Sequence, residues 1–199
     1  LSRRLAAGLA ALVVLSFATG ALAFDAAQTY AKGSLLLSPE VSYGNQFNLE
    51  NHHMFSNAQY VNGGVRLGWL PFEPVGPGPL FGALEMGPQV LYQQYFEPKG
   101  AYYVGAGLAL RYHFLALGRL VPYVEAAGTA GGTNLKVFEI DSTFTFVVWG
   151  GLGASYFVTD QTAIYAGYRF EHVSNGNTSD PNRGLEFNSG VFGVSYFFK

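Results

Sequence analysis

The sequence has no cysteine, few charged residues and, past its first two dozen positions, no long apolar run. Each absence closes a class. Without cysteine there is no disulfide framework, no thiolate zinc site and no cysteine nucleophile. Charged residues make up only 12% of 199, about half the usual share of a soluble domain. A net charge of -2 leaves no basic stripe to neutralise phosphates, so nucleic acid is not an expected partner. A chain that is 49% hydrophobic yet lacks spanning helices has two outlets, a soluble barrel or a barrel that faces lipid.

What the chain does have is glycine and aromatic residues: 26 Gly, 17 Phe, 13 Tyr and 2 Trp. Glycine tolerates tight curvature, and aromatics supply large apolar area, a pairing suited to a closed all-β protein. The start differs in kind. Arg3 and Arg4 precede an apolar run from Leu5 to Phe17, and Ala21-Leu22-Ala23 offers a small-x-small cleavage pattern. Residues 1–23 are therefore expected to be a signal peptide, the run being short for a membrane-spanning helix. Residues 24–199 are expected to form one barrel.

Within that part, Gly-, Tyr-, Phe-, Val- and Leu-rich segments alternate with turn signals. Eight strands are predicted, at 34–46, 58–70, 80–95, 101–114, 121–131, 143–157, 162–174 and 185–198. An even count suits an antiparallel transmembrane β-barrel of the outer-membrane type. The connectors 72–79, 115–119 and 158–161 are expected on the periplasmic side with both termini. Those at 47–57, 97–100, 132–142 and 175–184 include the longer polar loops and are expected outside.

The final segment carries the clearest pattern. Phe192, Val194, Tyr196 and Phe198 repeat with period two and end one residue from Lys199. Such a terminal aromatic resembles the signal read by the outer-membrane barrel-assembly machinery, an expected partner. In the seventh segment Ile164, Ala166, Tyr168 and Phe170 alternate with Tyr165, Gly167, Arg169 and Glu171. The first set is expected to face lipid and the second the lumen, with Arg169 and Glu171 as interior structural charges.

Extending the two lipid-facing rows brings chemistry together. One row continues from Phe170 to His172 and Ser174; the other runs back from Phe198 through Gly190 and Asn188 to Glu186. The twelve residues from Phe198 to Glu186 span roughly 40 Å along a strand, or about 30 Å vertically at a tilt of about 40°. Glu186 is thus expected at headgroup level, beside His172 and Ser174. Polar groups on a lipid-facing surface are costly and persist mostly where they pair or act. A serine hydroxyl needs a base to take its proton, and a carboxylate fixes the tautomer of a histidine that does so.

His172-Val173-Ser174-Asn175, followed by Asn182 and Glu186, resembles the lipid A 3-O-deacylase (PagL-type) family. That family carries His-x-Ser-Asn with a Glu fourteen residues after the His, on the last hairpin of an eight-stranded barrel. The resemblance implies an outer-membrane esterase that hydrolyses the 3-O-linked hydroxyacyl chain of lipid A in lipopolysaccharide. Carried over by position, Ser174 would be nucleophile, His172 base and Glu186 the orienting acid. Asn182 would stabilise the oxyanion with backbone N–H groups near Gly176 and Asn177, while Asn175 would hold the loop. No cofactor is implied, and pairing of two copies stays open.

Blander readings compete. The loop 175–184 has ordinary turn composition. His52-His53 lacks a companion carboxylate cluster, so no metal site is expected. Gly105-Ala106-Gly107 and Gly150-Gly151-Leu152-Gly153 lack the lysine and helix of a phosphate loop. Trp69, Tyr102, Tyr103, Tyr156 and Phe157 are expected to anchor at the membrane interface. The alternative function is a non-enzymatic barrel, either an adhesion-type scaffold or a narrow pore. A lipocalin-like secreted binder fits the C-terminal row poorly. Eight strands leave a lumen that side chains largely fill, which disfavours an open pore.

Overall fold

Alternating side chains on long strands give each strand one apolar face for lipid and one mixed face for an interior. A computed structural model, describing residues 24–47, 49 and 55–198, shows eight such strands. They are β1 (Leu35–Phe47), β2 (Gln59–Trp69), β3 (Gly82–Glu97), β4 (Ala101–Phe114), β5 (Leu120–Thr133), β6 (Phe144–Phe157), β7 (Thr162–Ser174) and β8 (Leu185–Phe198). Each pairs antiparallel with its chain neighbour, and β1 pairs with β8 to close the barrel. A short helix, α1 (Ala26–Thr29), precedes the first strand. The expected signal peptide lies outside the described residues, as does His52-His53.

The strand limits follow the alternation of the sequence with small shifts. β3 begins at Gly82 rather than residue 80 because Gly78–Leu80 forms a single 3-10 turn after Pro77. β5 runs to Thr133, two residues beyond its expected end, since Gly131 and Gly132 continue to pair with β6.

The outward rows are apolar: Leu35, Leu37, Val41 and Tyr43 on β1, and Phe192, Tyr196 and Phe198 on β8, are all exposed. Two of the expected interface anchors do not join them. Tyr103 and Phe157 are buried in the lumen, whereas Trp69, Tyr102 and Tyr156 face outward. The cause is the period of two, which sends one member of each adjacent aromatic pair, Tyr102-Tyr103 and Tyr156-Phe157, to the inside.

The lumen is filled in three storeys. At the end bearing the chain termini, Tyr30 follows α1 into the barrel and packs with Leu36, Leu70, Val121, Phe157 and Phe197. Its hydroxyl lies 3.2 Å from His113 Nδ1. The middle holds a charge network. Arg169 reaches Glu40 and Glu125 at 2.6 Å each, Arg111 meets Glu125 at 2.7 Å, and Arg66 meets Glu85 at 2.8 Å. Glu171 is also buried there and accepts a hydrogen bond from Gln93 Nε2 at 2.7 Å. Toward the loop end, Tyr60, Tyr95, Tyr103, Trp149 and Phe187 form an aromatic storey. Charges this deep persist because each has an ion-pair or hydrogen-bond partner among the lumen side chains.

Candidate active site

β7 and β8 meet at the loop end of the barrel, where their outward rows carry polar residues. His172 and Glu186 are directly opposed across the β7–β8 ladder. Directly opposed side chains on one face lie close enough to interact. Here His172 Nδ1 and Glu186 Oε1 are 3.1 Å apart, with side chains 37% and 17% exposed. Ser174 projects from the same face two residues on, opposite Phe146 of β6. Among the described residues no hydrogen bond joins Ser174 Oγ to the imidazole. Both groups share one outward face of β7.

The surroundings are apolar. His172 is flanked on β6 by Val148, and Glu186 on β1 by Phe47, whose ring meets Phe170 edge-on at 5.7 Å. Below them Tyr168 donates a hydrogen bond to Asn188 Oδ1. A small polar cluster therefore sits at the upper margin of a lipid-facing wall.

The loop between β7 and β8 is shaped by its own side chains. Asn175 is fully buried, and its Nδ2 donates to Ser179 O at 2.8 Å and Ser179 Oγ at 3.0 Å. Its backbone N–H donates to Asn182 Oδ1 at 2.8 Å, and Asn182 Nδ2 donates to Asn177 Oδ1 at 2.8 Å. Asn182 thus clasps the loop with both ends of its carboxamide, leaving one amide hydrogen uncommitted. Gly176 and Asn177 both have left-handed backbones, with φ of 64° and 60°, in a turn closed by Thr178 N–H donating to Asn175 O at 3.3 Å. That handedness at two successive residues defines a type I′ turn, which suits Gly and Asn. Among the described residues neither of their N–H groups has a backbone hydrogen-bond partner.

Two further residues shape the site without any warning in the motif. Gly184 has φ of 80°, and a Cβ there would stand 2.6 Å from His172 Cε1. The loop returns so close to the imidazole that any side chain here would require the ring or the loop to shift. Glu139, in the β5–β6 loop, is the second. It accepts from Gln46 Nε2 at 2.9 Å, from Ser56 N–H at 2.8 Å and from the Ser56 hydroxyl, while its backbone O accepts from Arg183 N–H at 2.9 Å. Ile140 bridges to Asn182 in the same crossing. Three loops are therefore tied together over the mouth of the barrel. A Gly before a strand hints at a special backbone angle; nothing in the sequence marks Glu139, whose partners lie 83 and 93 positions away.

Known structures share this architecture. The crystal structure of the outer membrane enzyme PagL superimposes with a TM-score of 0.58 at 19% identity, covering 77% of this chain and 97% of that one. The crystal structure of Neisserial surface protein A gives 0.59 at 17% identity, covering 84% and 100%. At such identities the likeness concerns the fold. No curated protein matches the chain. The model of the lipid A 3-O-deacylase (PagL) family, however, matches residues 39–195. That span opens within β1 and closes within β8, taking in the whole β7–β8 rim on the way. Kinship across the entire barrel, rather than across one short motif, decides the matter: the chain belongs to the lipid A 3-O-deacylase (PagL) family of outer-membrane β-barrels.

Proposed function

We propose that the protein hydrolyses the 3-O-linked hydroxyacyl ester of lipid A with Ser174 as nucleophile, His172 as base and Glu186 as orienting acid. The observation that carries this reading is the 3.1 Å contact between His172 Nδ1 and Glu186 Oε1 on the lipid-facing surface. A carboxylate at Nδ1 holds the proton there, leaving Nε2 unprotonated as an acceptor. Nε2 takes the Ser174 proton as Oγ attacks the ester carbonyl. The N–H groups of Gly176 and Asn177 receive the oxyanion, with the uncommitted amide hydrogen of Asn182 beside them.

Collapse of the tetrahedral intermediate breaks the bond to the sugar 3-oxygen, which leaves with the proton held by His172. Water, deprotonated by the same imidazole, then attacks the acyl-serine and releases a hydroxy fatty acid. The apolar flank of Phe146, Val148 and Phe170 suits a substrate whose chains stay in lipid. Asn175 holds the loop and takes no part in the chemistry.

Expression in a bacterium making hexa-acylated lipid A should remove one hydroxyacyl chain, read as a single mass loss in the lipid A spectrum. Ser174→Ala should abolish that loss. An unchanged spectrum from a correctly inserted wild-type protein would overturn the reading.

A further inference from the structure

Among the described residues few cations stand at the loop end of the barrel, and they differ in circumstance. Lys136 is engaged with Asp141 at 2.8 Å. Lys99 sits in the β3–β4 connection, half-way round the barrel from β7 and β8. Arg183 lies in the β7–β8 loop, adjacent to Gly184 and three residues before Glu186. It is exposed, and among the described residues it has no ion-pair partner. Its guanidinium carbon stands 4.2 Å over the Phe138 ring. Its backbone is fixed by donation to Glu139 O at 2.9 Å and by the neighbouring bridge from Asn182 to Ile140.

Stacking occupies one face of a guanidinium and leaves the N–H edge free, the edge that recognises phosphate in a planar, two-pronged fashion. The backbone beside Arg183 passes close to the site: a Cβ on the next residue, Gly184, would stand 2.6 Å from His172 Cε1. The site therefore has polar chemistry at the membrane boundary, and the loop beside it carries one exposed, stacked cation with no ion pair among the described residues. Lipid A is a phosphorylated glucosamine lipid, with its phosphates outward of its ester-linked chains.

From this we infer that Arg183 is a specificity-determining residue that binds a phosphate monoester of the lipid A headgroup and so sets the 3-O ester against Ser174. This inference rests on the esterase reading for the ester it positions, but the anion contact itself can be measured without turnover.

The experiment uses the full-length protein in detergent micelles, with Ser174→Ala in the background to block turnover. Binding of bis-phosphorylated lipid A and of enzymatically dephosphorylated lipid A is compared with and without Arg183→Ala. Loss of Arg183 should weaken binding of the phosphorylated lipid about tenfold, as expected for one charge-assisted contact, and leave the dephosphorylated lipid unaffected. Arg183→Lys should recover part of the difference. Inorganic phosphate at millimolar concentration should not displace the lipid. Equal weakening for both lipids would make Arg183 a structural residue, no weakening would make it a bystander, and displacement by inorganic phosphate would make it a general anion site. Each of these overturns the inference. With Ser174 restored, Arg183→Ala should raise KM for phosphorylated substrate far more than it lowers kcat. Phosphate-dependent binding without any deacylation by the wild type would sink the esterase reading and leave the phosphate contact standing.

Discussion

At the scale of single residues, the proposed chemistry depends on how firmly one imidazole is held. In that proposal Glu186 orients His172 but does not touch the ester, so its loss should be less damaging than loss of the nucleophile. Glu186→Ala is expected to retain roughly ten- to a hundredfold more activity than Ser174→Ala, in line with the non-additive behaviour of catalytic triads. Initial rates on purified lipid A in micelles give the comparison, and equal inactivation of two well-folded variants would show the acid to be indispensable. Gly184→Ala probes the same imidazole from the other side. The added methyl would meet Cε1 at 2.6 Å, and the ring is the group able to yield, by rotating off Glu186. The φ of 80° adds a strain of about 1 kcal/mol for a residue with a Cβ. We predict a loss of activity well beyond tenfold in a barrel that still migrates as folded on an unheated gel, the expected size for disturbing catalytic geometry. Near-normal turnover would mean the loop moves aside instead.

At the scale of elements, most of the barrel was legible because a strand announces its two faces in alternate letters. The row ending at Phe198 fixes the parity of β8, and that parity alone sends Glu186 outward with Asn188 and Gly190. The same count on β7 places His172 and Ser174 outward and Arg169 and Glu171 inside. Tyr103 and Phe157 show where composition misleads: an aromatic near a strand end looks like an interface anchor until its parity is counted. Loops have no such period, and there the sequence was mute. The loop hydrogen bonds of Asn182 to Asn175 N–H and to Asn177 Oδ1 follow no period that the sequence could display. Glu139 could not be foreseen, since its ligands come from β1 and the loop after it. Its importance is testable. Glu139→Ala removes an acceptor shared by Gln46 and Ser56, and hydrogen bonds to a charged group of this kind contribute about 1.5–3 kcal/mol each. The three loops should loosen together, exposing residues 134–143 to protease added to whole cells and slowing deacylation. Unaltered protection and an unaltered rate would show that the β5–β6 loop is held by other contacts.

At the scale of the whole molecule, a filled interior gives the eight-stranded barrel a rigid frame for the outward-facing His172, Ser174 and Glu186. The cross-strand ladder opposes His172 to Glu186, and the position of that ladder is fixed from within by Arg169, which reaches from β7 to Glu40 on β1 and Glu125 on β5. Removing that cation leaves the buried Glu40 without an ion pair among the described residues, while Glu125 keeps Arg111 at 2.7 Å. Arg169→Ala should therefore lower stability by about 3–5 kcal/mol, the usual cost of breaking a buried pair. Glu171→Gln should cost much less, because its hydrogen-bond partner Gln93 is neutral and an amide can occupy the same place. Heat-modifiable gel migration measured against temperature separates the two, with the arginine variant unfolding well below the glutamine variant. If both unfold together with the wild type, the charge network contributes nothing net, and the aromatic storeys above and below it alone set the frame on which the site is built.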